Sequence, residues 1–191
     1  MNVYVYDPTE HDSLSKVRGI GRYLQILKET LPKSTVFTSH LNEVPFDSVF
    51  INPFINLVQP PLISKRIAKK QIGIIHDIIP LQFPQHFPVG LRGKLNIWQN
   101  QKNLKHYDAI ITDSEASKKL IVEKLRIPSA KLKVIFPTLP KTFSYSSKVN
   151  TQYPIPNTQH FIYVGDVTWN KNLVNLAKAI KLGTLPCVFV G

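Results

Sequence analysis

Short apolar runs alternate with amphipathic segments along most of this sequence, and this alternation constrains the fold more than any other feature. Residues 3–6, 72–75 and 109–112 are apolar runs of strand length. Between the first two, apolar side chains recur at helical spacing from Ile20 until Pro32 ends the pattern. Strands that alternate with helices in this way predict an α/β domain with a mainly parallel sheet.

Weaker patterns complete this prediction. Further strands are expected over residues 36–38, 48–51 and 133–136. Further helices are expected over residues 62–70, 91–104 and 114–125, and a proline-containing loop over 76–88.

The composition changes after residue 136. Residues 137–158 are rich in Pro, Ser, Thr and Lys and show no periodicity, which is typical of a linker. A strand over 161–165, an amphipathic helix and a strand over 187–190 then follow. The sequence therefore predicts a first α/β domain over residues 1–136, a linker over 137–158 and the start of an incomplete second α/β domain over 159–191.

The charge is strongly positive, because 24 Lys and Arg residues face 12 Asp and Glu residues for a net charge of +12. Such a surplus favours acidic partners: nucleic acid, anionic lipid headgroups or phosphorylated small molecules. Residues 64–107 hold eight Lys or Arg and only Asp77 as an acid, with Phe83, Phe87 and Trp98 interleaved. This segment suits an anionic membrane or nucleic acid, and a plain solvated face remains an equal alternative.

Several kinds of site have no counterpart in the sequence. Cys187 is the single cysteine, which excludes an intrachain disulfide and a thiolate metal cluster. The six histidines show no metal-ligand spacing, and neither a GxxxxGK[ST] phosphate loop nor a GxSxG elbow is present. The sequence also has no secretory signal and no apolar run of about 20 residues. These features predict a metal-independent cytoplasmic protein.

The stretch SKVRGIGRY leads into the first predicted helix. Gly19 and Gly21 leave room near the backbone, and a helix N-terminus presents unpaired N–H donors. Together these features suit a phosphate. A turn that needs glycine only for its geometry explains the pattern about as well.

Three further loops follow predicted strands at the edge where parallel sheets bind ligands. His76 and Asp77 follow one strand and could supply acid–base chemistry, although a histidine bonded to backbone is the plainer alternative. Ser114 precedes a helix, where serine is usually a cap. Lys171 stands at a helix start, where a bound anion would explain a charge that opposes the helix dipole, unless the lysine is simply solvated.

Five stretches in this order resemble the family 4 retaining glycosyltransferases of the GT-B fold, especially the mannosyltransferase-like members. They are RGIGRYLQIL, IGIIHDIIPLQFPQHFP, DAIITDSEASKKLIVEKLRIP, KVIFP and FIYVGDVTWNKNL, and they cover nearly the whole chain except the linker. The resemblance implies two Rossmann-like domains with the active site in the cleft between them. The first would hold the acceptor and the second a nucleotide sugar.

The resemblance also assigns roles to residues. The donor-binding group would be Gly19, Ile20, Gly21, Lys171 and Asn172. The catalytic pair would be His76 and Asp77, with His76 positioning the transferred sugar rather than attacking it. The acceptor or cleft group would be Arg22, Ser114 and Ser117.

Two departures from the family pattern stand out. Asp166 and Asn170 occupy places where members often carry arginine, so Lys171 is the one matched cation for the donor phosphates. The family's Glu-x7-Glu element would lie beyond Gly191, so the isolated chain is expected to be inactive.

The expected partners follow from the resemblance and the charge. They are a nucleoside diphosphate sugar, with GDP-mannose favoured, and a glycan or lipid-linked acceptor in polysaccharide or glycolipid assembly. No metal or other cofactor is implied. Peripheral contact with anionic membranes at the inner face is expected through the basic segment 64–107, including Lys65, Arg66, Lys69 and Lys70. The rival hypotheses are a basic nucleic-acid-binding α/β module and a nucleotide-sugar epimerase of the same architecture.

Overall fold

The structure is a computed structural model that describes residues 1–10, 19–140, 160–183 and 186–190. It divides into two compact units, Met1–Ser144 and Tyr145–Gly191. Residues 15–18 of the glycine-bearing stretch and residues 141–158 of the predicted linker lie outside the described residues.

The first unit contains one parallel sheet of six strands in the order β2–β1–β3–β4–β5–β6. The strands are β1 Val3–Tyr6, β2 Val36–Thr38, β3 Val49–Asn52, β4 Lys70–Ile74, β5 Ala109–Thr112 and β6 Leu132–Val134. The helices are α1 Gly19–Thr30, α2 Ile79–Gln82, α3 Gly90–Asn103 and α4 Glu115–Leu125. The prediction of an α/β fold with a parallel sheet is confirmed, and the architecture is consistent with a Rossmann-like fold.

Helices cover both faces of this sheet, because neighbouring residues of each strand point to opposite sides. One hydrophobic cluster contains Val5, Leu24, Ile51 and Ile74. The other contains Phe50, Ile110, Ile121 and Leu132. Since Phe50 and Ile51 are consecutive in β3, the two clusters lie on opposite faces. Helix α1 packs on the first face through Leu24, and α4 packs on the second through Ile121.

The strand order reverses beside β1, because the chain next adds β2 on one side of it and then β3 on the other. Open parallel sheets bind ligands beyond the carboxyl ends of their strands near such a reversal. We therefore expect a site at the carboxyl edge of β1, β3, β4 and β5.

The predicted helix over residues 62–70 is wrong, since the structure has turns there and β4 begins at Lys70. The fully buried side chain of Gln71 accepts hydrogen bonds from the backbone N–H groups of Ile67 at 2.6 Å and Ala68 at 3.0 Å. Its amide nitrogen donates to the carbonyl of His106 at 2.9 Å. A buried side chain thus replaces the hydrogen bonds that a helix would have made.

An ion pair also holds this segment. The guanidinium of Arg66 donates two hydrogen bonds of 2.9 Å to the carboxylate of Asp108. The same carboxylate accepts from the backbone N–H of Gln71 at 2.7 Å. These donors, Arg66 first, lower the pKa of Asp108 against the opposing effect of its burial. Arg66 is therefore engaged within the fold.

The other predicted elements differ little from the structure. The strands expected over 48–51, 72–75 and 133–136 and the helix over 91–104 are present with ends shifted by one or two residues. The predicted loop over 76–88 contains the short helix α2. The first predicted domain boundary, residue 136, lies just after β6.

The second unit contains a parallel pair of strands, β7 Phe161–Val164 and β8 Cys187–Val190, with helix α5 Leu173–Gly183 between them in sequence. The predicted βαβ unit is thus present. In the described parts of both units, no helix is long and apolar enough to cross a membrane.

Candidate functional site

The candidate site lies where β3, β4 and β5 end. Pro53 follows the last residue of β3, His76 stands two residues after β4, and Asp113 follows the last residue of β5. Because β4 pairs with both of its neighbours in parallel, all three residues leave the sheet at the same edge. The topology alone therefore gathers them.

His76 is held through both ring nitrogens. Its Nδ1 lies 2.6 Å from Oδ2 of Asp113, and its Nε2 lies 3.0 Å from the carbonyl oxygen of Pro53. A backbone carbonyl can only accept, so Nε2 must carry the donated proton. The short contact to Asp113 then requires a second proton, either on Nδ1 or on the carboxyl group. In both cases the two ring nitrogens are engaged in hydrogen bonds, so neither is free to act as a base.

Two aromatic side chains enclose this ring. Tyr23 of α1 meets it edge-on, with ring centroids 4.6 Å apart, and Phe54 lies 5.7 Å away at a tilt. Burial raises the pKa of Tyr23 to about 12, and the negative charge of Asp113 adds to the rise. Tyr23 therefore stays a neutral phenol at physiological pH, and its ring covers one side of the His76 imidazole.

Asp113 keeps one hydrogen-bonding atom without a protein partner. Its Oδ1 is buried and accepts no hydrogen bond from the described part of the chain. An unpaired carboxyl oxygen in such a place is costly, and the short hydrogen bond between Oδ2 and Nδ1 of His76 offsets part of that cost.

Two small pockets adjoin at this edge and share Phe54 and Asn56 in their walls. The first, of about 160 Å³, is bordered by His76 and Leu57. The second, of about 220 Å³, is bordered by Asn52. Pockets for drug-sized ligands start near 300 Å³. Each pocket therefore suits a single ring or a small polar group rather than a whole nucleotide.

A larger and more polar cleft of about 470 Å³ lies beside the ends of β1 and β2, with Gly21 and Phe37 in its wall. In it Lys28 donates to Asp7 at 2.9 Å. Burial raises the pKa of Asp7, but hydrogen bonds from Thr9 and Lys28 outweigh it, so that the pKa is lowered.

Asp77 does not join the His76–Asp113 pair. It is exposed, and its Oδ1 accepts from the backbone N–H of Ile79 at 3.1 Å, which fixes the turn into α2. The catalytic pair predicted from the sequence is thus not a contact in the structure. His76 instead pairs with Asp113, which lies 37 positions further along the chain.

Ser114 and Ser117 have the structural role that the plainer alternative predicted. The Ser114 side chain accepts from the backbone N–H of Ser117 at 3.1 Å and caps α4. The two hydroxyl groups also lie 3.1 Å apart. Both residues nevertheless stand directly beside Asp113, so they border the candidate site.

Residues 19–23 of the glycine-bearing stretch belong to the start of α1. Gly19 opens the helix, and no protein atom lies within 4 Å of the place where a Cβ would be. Its φ is not left-handed either, so neither conformation nor packing requires glycine there. Ile20 packs on the core face of α1, while Arg22 is exposed. One turn further along, Tyr23 meets His76.

Lys171 and Asn172 belong to the second unit. Lys171 is exposed at the end of a short 3₁₀ turn, and Asn172 has a left-handed φ of 54°. Gly165, which follows β7, has a φ of +148° that favours glycine, and a Cβ there would lie 3.9 Å from Cε of Lys171. The lysine side chain therefore passes beside the loop that leaves β7, as a phosphate-binding lysine at a strand end would.

Sequence reasoning missed Asp113 and Tyr23 as site residues. Asp113 was within reach, because it follows one buried strand just as His76 follows another. Tyr23 belongs to the apolar face of the predicted helix, and the sequence does not distinguish a residue that lines a site from one that packs in the core. For the described residues, no group of three or more His, Cys, Asp or Glu side chains could hold a metal ion.

The chain was compared with models of protein families, with curated proteins and with solved structures, and none of them matches it.

Proposed function

We propose that this chain is part of a retaining glycosyltransferase of the GT-B type. It would transfer a sugar from a nucleoside diphosphate to a hydroxyl group of a glycan or lipid-linked acceptor. The observation that most supports the proposal is the position of His76. Its Nδ1 contacts Asp113 at the carboxyl edge of a parallel sheet, and its ring packs against Tyr23 of α1, which follows the two glycines. The order of the five sequence stretches supports it.

The leaving diphosphate gathers negative charge as the sugar departs. Fixed N–H donors and cations lower the free energy of such a transition state. In this proposal Lys171 of the second unit binds the diphosphate, and Asn172 shapes the turn beside it. The backbone N–H groups at Gly19, Ile20 and Gly21 are the donors that the first unit offers to an anion. The open space at Gly19 supports close approach of a ligand to the backbone.

His76 is assigned a positioning role toward the transferred sugar. Both of its nitrogens are occupied by Asp113 and Pro53, which suits an oriented charge and not a nucleophile. The adjoining pocket of about 160 Å³ fits one sugar ring and no more. The role of Asp77 in this proposal is indirect, because its carboxylate stabilises the turn that leads from His76 into α2.

The test is a calorimetric titration of the full-length protein with GDP-mannose, other GDP-sugars and UDP-sugars. Binding to one nucleotide class is expected, with GDP-mannose favoured by the resemblance. Lys171→Gln should weaken binding about tenfold, because a charged hydrogen bond contributes roughly 1.5–3 kcal/mol. The matched control is Lys178→Gln, which removes an exposed lysine from α5. Absence of binding to both classes would refute the proposal.

Product analysis separates this function from its two rivals. A transferase forms product only when an acceptor is present, whereas an epimerase converts the nucleotide sugar alone. A nucleic-acid-binding module would bind RNA or DNA with an affinity that falls steeply as salt rises. If the protein gave either of these results instead of nucleotide-sugar binding with acceptor-dependent transfer, the proposed function would be wrong and the corresponding rival would take its place.

A further inference from the structure

Helix α3 attaches to the first unit through polar groups. Asn96 donates its amide to the carbonyl of Val58 at 2.9 Å. The buried Asn100 donates to the carbonyls of Leu57 at 3.1 Å and Gln59 at 2.8 Å. The inward face of the helix therefore combines these two amides with Ile97, which packs against the hydrophobic core.

The outward face of α3 is apolar. Leu91, Leu95 and Trp98 have exposed fractions of 85%, 53% and 52%. They are spaced by four and three residues, so they form one stripe on the helix surface. Asn96 and Asn100 lie on the other side of the helix. A surface helix of a globular protein normally buries its large apolar residues and exposes its polar ones. In α3 three large apolar residues are exposed instead, while Asn96 and Asn100 face the fold.

Cations flank the apolar stripe. Arg92 and Lys94 are exposed in the first turns, and Lys102 lies one turn beyond Trp98 with its Nζ 3.7 Å from the centre of the indole ring. The sequence of α3 from Gly90 to Asn103 contains no acidic residue. A protein partner for this face would have to supply acids, whereas an anionic bilayer supplies them everywhere. Apolar side chains in a row with Lys and Arg beside them are the pattern of a helix that lies in a membrane interface.

We propose that the outward face of α3, formed by Leu91, Leu95 and Trp98 with Arg92, Lys94 and Lys102, docks the protein reversibly on anionic lipid membranes. The leucines and the indole enter the boundary between headgroups and acyl chains, and the cations meet the lipid phosphates. The inference is independent of the proposed function. It narrows the expected contact from the whole basic segment 64–107 to helix α3, and it leaves out Arg66, which is held by Asp108.

The first test is co-sedimentation with vesicles of phosphatidylcholine alone and of phosphatidylcholine with phosphatidylglycerol. Binding is expected to the anionic vesicles and to fall as salt rises. Leu91→Ser with Trp98→Ser, and separately Lys94→Gln with Lys102→Gln, should each reduce partitioning at least tenfold. The matched controls are Phe46→Ser, an exposed aromatic residue elsewhere in the first unit, and Lys33→Gln with Lys119→Gln. The controls should bind as the unmodified protein does.

The second test leaves the helix face unaltered. The chain has two tryptophans, so the Trp169→Phe variant reports on Trp98 alone. Anionic vesicles should shift its emission to the blue, and brominated acyl chains should quench it. The Trp98→Phe variant, which retains only Trp169, should show neither effect.

Three outcomes would overturn the inference. One is equal binding to neutral and anionic vesicles. Another is vesicle binding that survives both sets of helix variants while circular dichroism shows them folded. The third is self-association of the protein that the Leu91→Ser and Trp98→Ser changes abolish while vesicle binding persists, since α3 would then be an interface between copies of the chain.

Discussion

The Nδ1 atom of His76 lies 2.6 Å from Oδ2 of Asp113, although 37 positions separate the two residues in sequence. The contact exists because each residue leaves the sheet at the end of one of two neighbouring parallel strands. The side chains are only 20% and 27% exposed, so water screens their interaction less than it screens a surface pair. The two residues should therefore be energetically coupled.

A double-mutant cycle measures this coupling. His76→Gln, Asp113→Asn and the double variant are unfolded with urea, and the free energies of unfolding are compared. The expected coupling is about 1–2 kcal/mol, within the range for residues in one hydrogen-bonded network.

The control cycle uses Glu123 and Lys124, whose side chains are 59% and 44% exposed and 3.3 Å apart. An exposed pair of this kind should show little coupling. If the two cycles gave equal values, the His76–Asp113 contact would not be a stabilising feature of the site.

The position of this site was largely predictable, and its pairing was not. Strand length and apolar character place His76 and Asp113 at the carboxyl edge of a parallel sheet. The sequence does not state which strands are neighbours, because that order depends on long-range pairing. Asp77 also follows β4 and is an equally good site residue from the sequence, but in the structure its Oδ1 accepts from the backbone N–H of Ile79, whereas His76 contacts Asp113.

The ionisation of Tyr23 gives a second prediction. Burial and the negative charge of Asp113 raise its pKa to about 12. Burial also raises the pKa of Tyr107 to about 12, so this tyrosine belongs to the same high-pH group. In a rapid-mixing alkaline titration of tyrosine ionisation, the Tyr23→Phe variant should form one phenolate fewer than the unmodified protein in the part of the curve near pH 12.

Asp113→Asn should lower the pKa of Tyr23 while leaving it above the usual value, because burial is the larger cause. Loss of a phenolate from the lower-pH part of the curve in Tyr23→Phe would contradict the enclosed position of this ring.

The failed helix over residues 62–70 shows what periodicity cannot detect. The apolar spacing there fits a helix. In the structure, the Gln71 side chain binds the backbone of this segment and Asp108 binds Arg66, and these contacts hold the segment in a non-helical conformation. Asp108 is 42 positions away from Arg66, so the interaction that decides the local structure is not local. Helix α3 was predicted correctly, whereas its polar inward face depends on the carbonyls of a distant loop and could not be foreseen.

The ion pair between Asp7 and Lys28 predicts a stability change in acid. The pKa of Asp7 is lower in the folded protein than its ordinary value of 3.8, so the folded state binds the proton less readily than the unfolded state. The contribution of Asp7 is therefore complete above pH 3.8 and is lost as the pH falls below that value.

Asp7→Asn should be less stable than the unmodified protein at neutral pH, and the difference should shrink in acid. Urea unfolding across this range measures it, with Asp47→Asn, an exposed carboxyl on the loop before β3, as the control. A difference that stayed constant with pH would exclude the linkage.

The amide of Asn100 should be essential for holding helix α3. It donates to the carbonyls of Leu57 and Gln59, and leucine would remove this donor from both in a buried place. Asn100→Leu should lower the free energy of unfolding by about 2 kcal/mol. Gln101→Leu, at the exposed neighbouring position, should change it little. An Asn100→Leu variant as stable as the unmodified protein would show that the amide is dispensable.

Gly19 allows ligand binding to be separated from folding. Alanine at Gly19 meets no described protein atom within 4 Å and needs no unusual φ, so the first turn of the helix accommodates it. Gly19→Ala should therefore be at least as stable in urea as the unmodified protein. If a diphosphate approaches the first turn of α1, the same methyl group occupies its path, and calorimetry should show nucleotide-sugar affinity reduced at least tenfold. Gly183→Ala, another helical glycine with open space around it, should keep full affinity. Unchanged affinity in a stable Gly19→Ala variant would mean that this glycine does not serve the ligand.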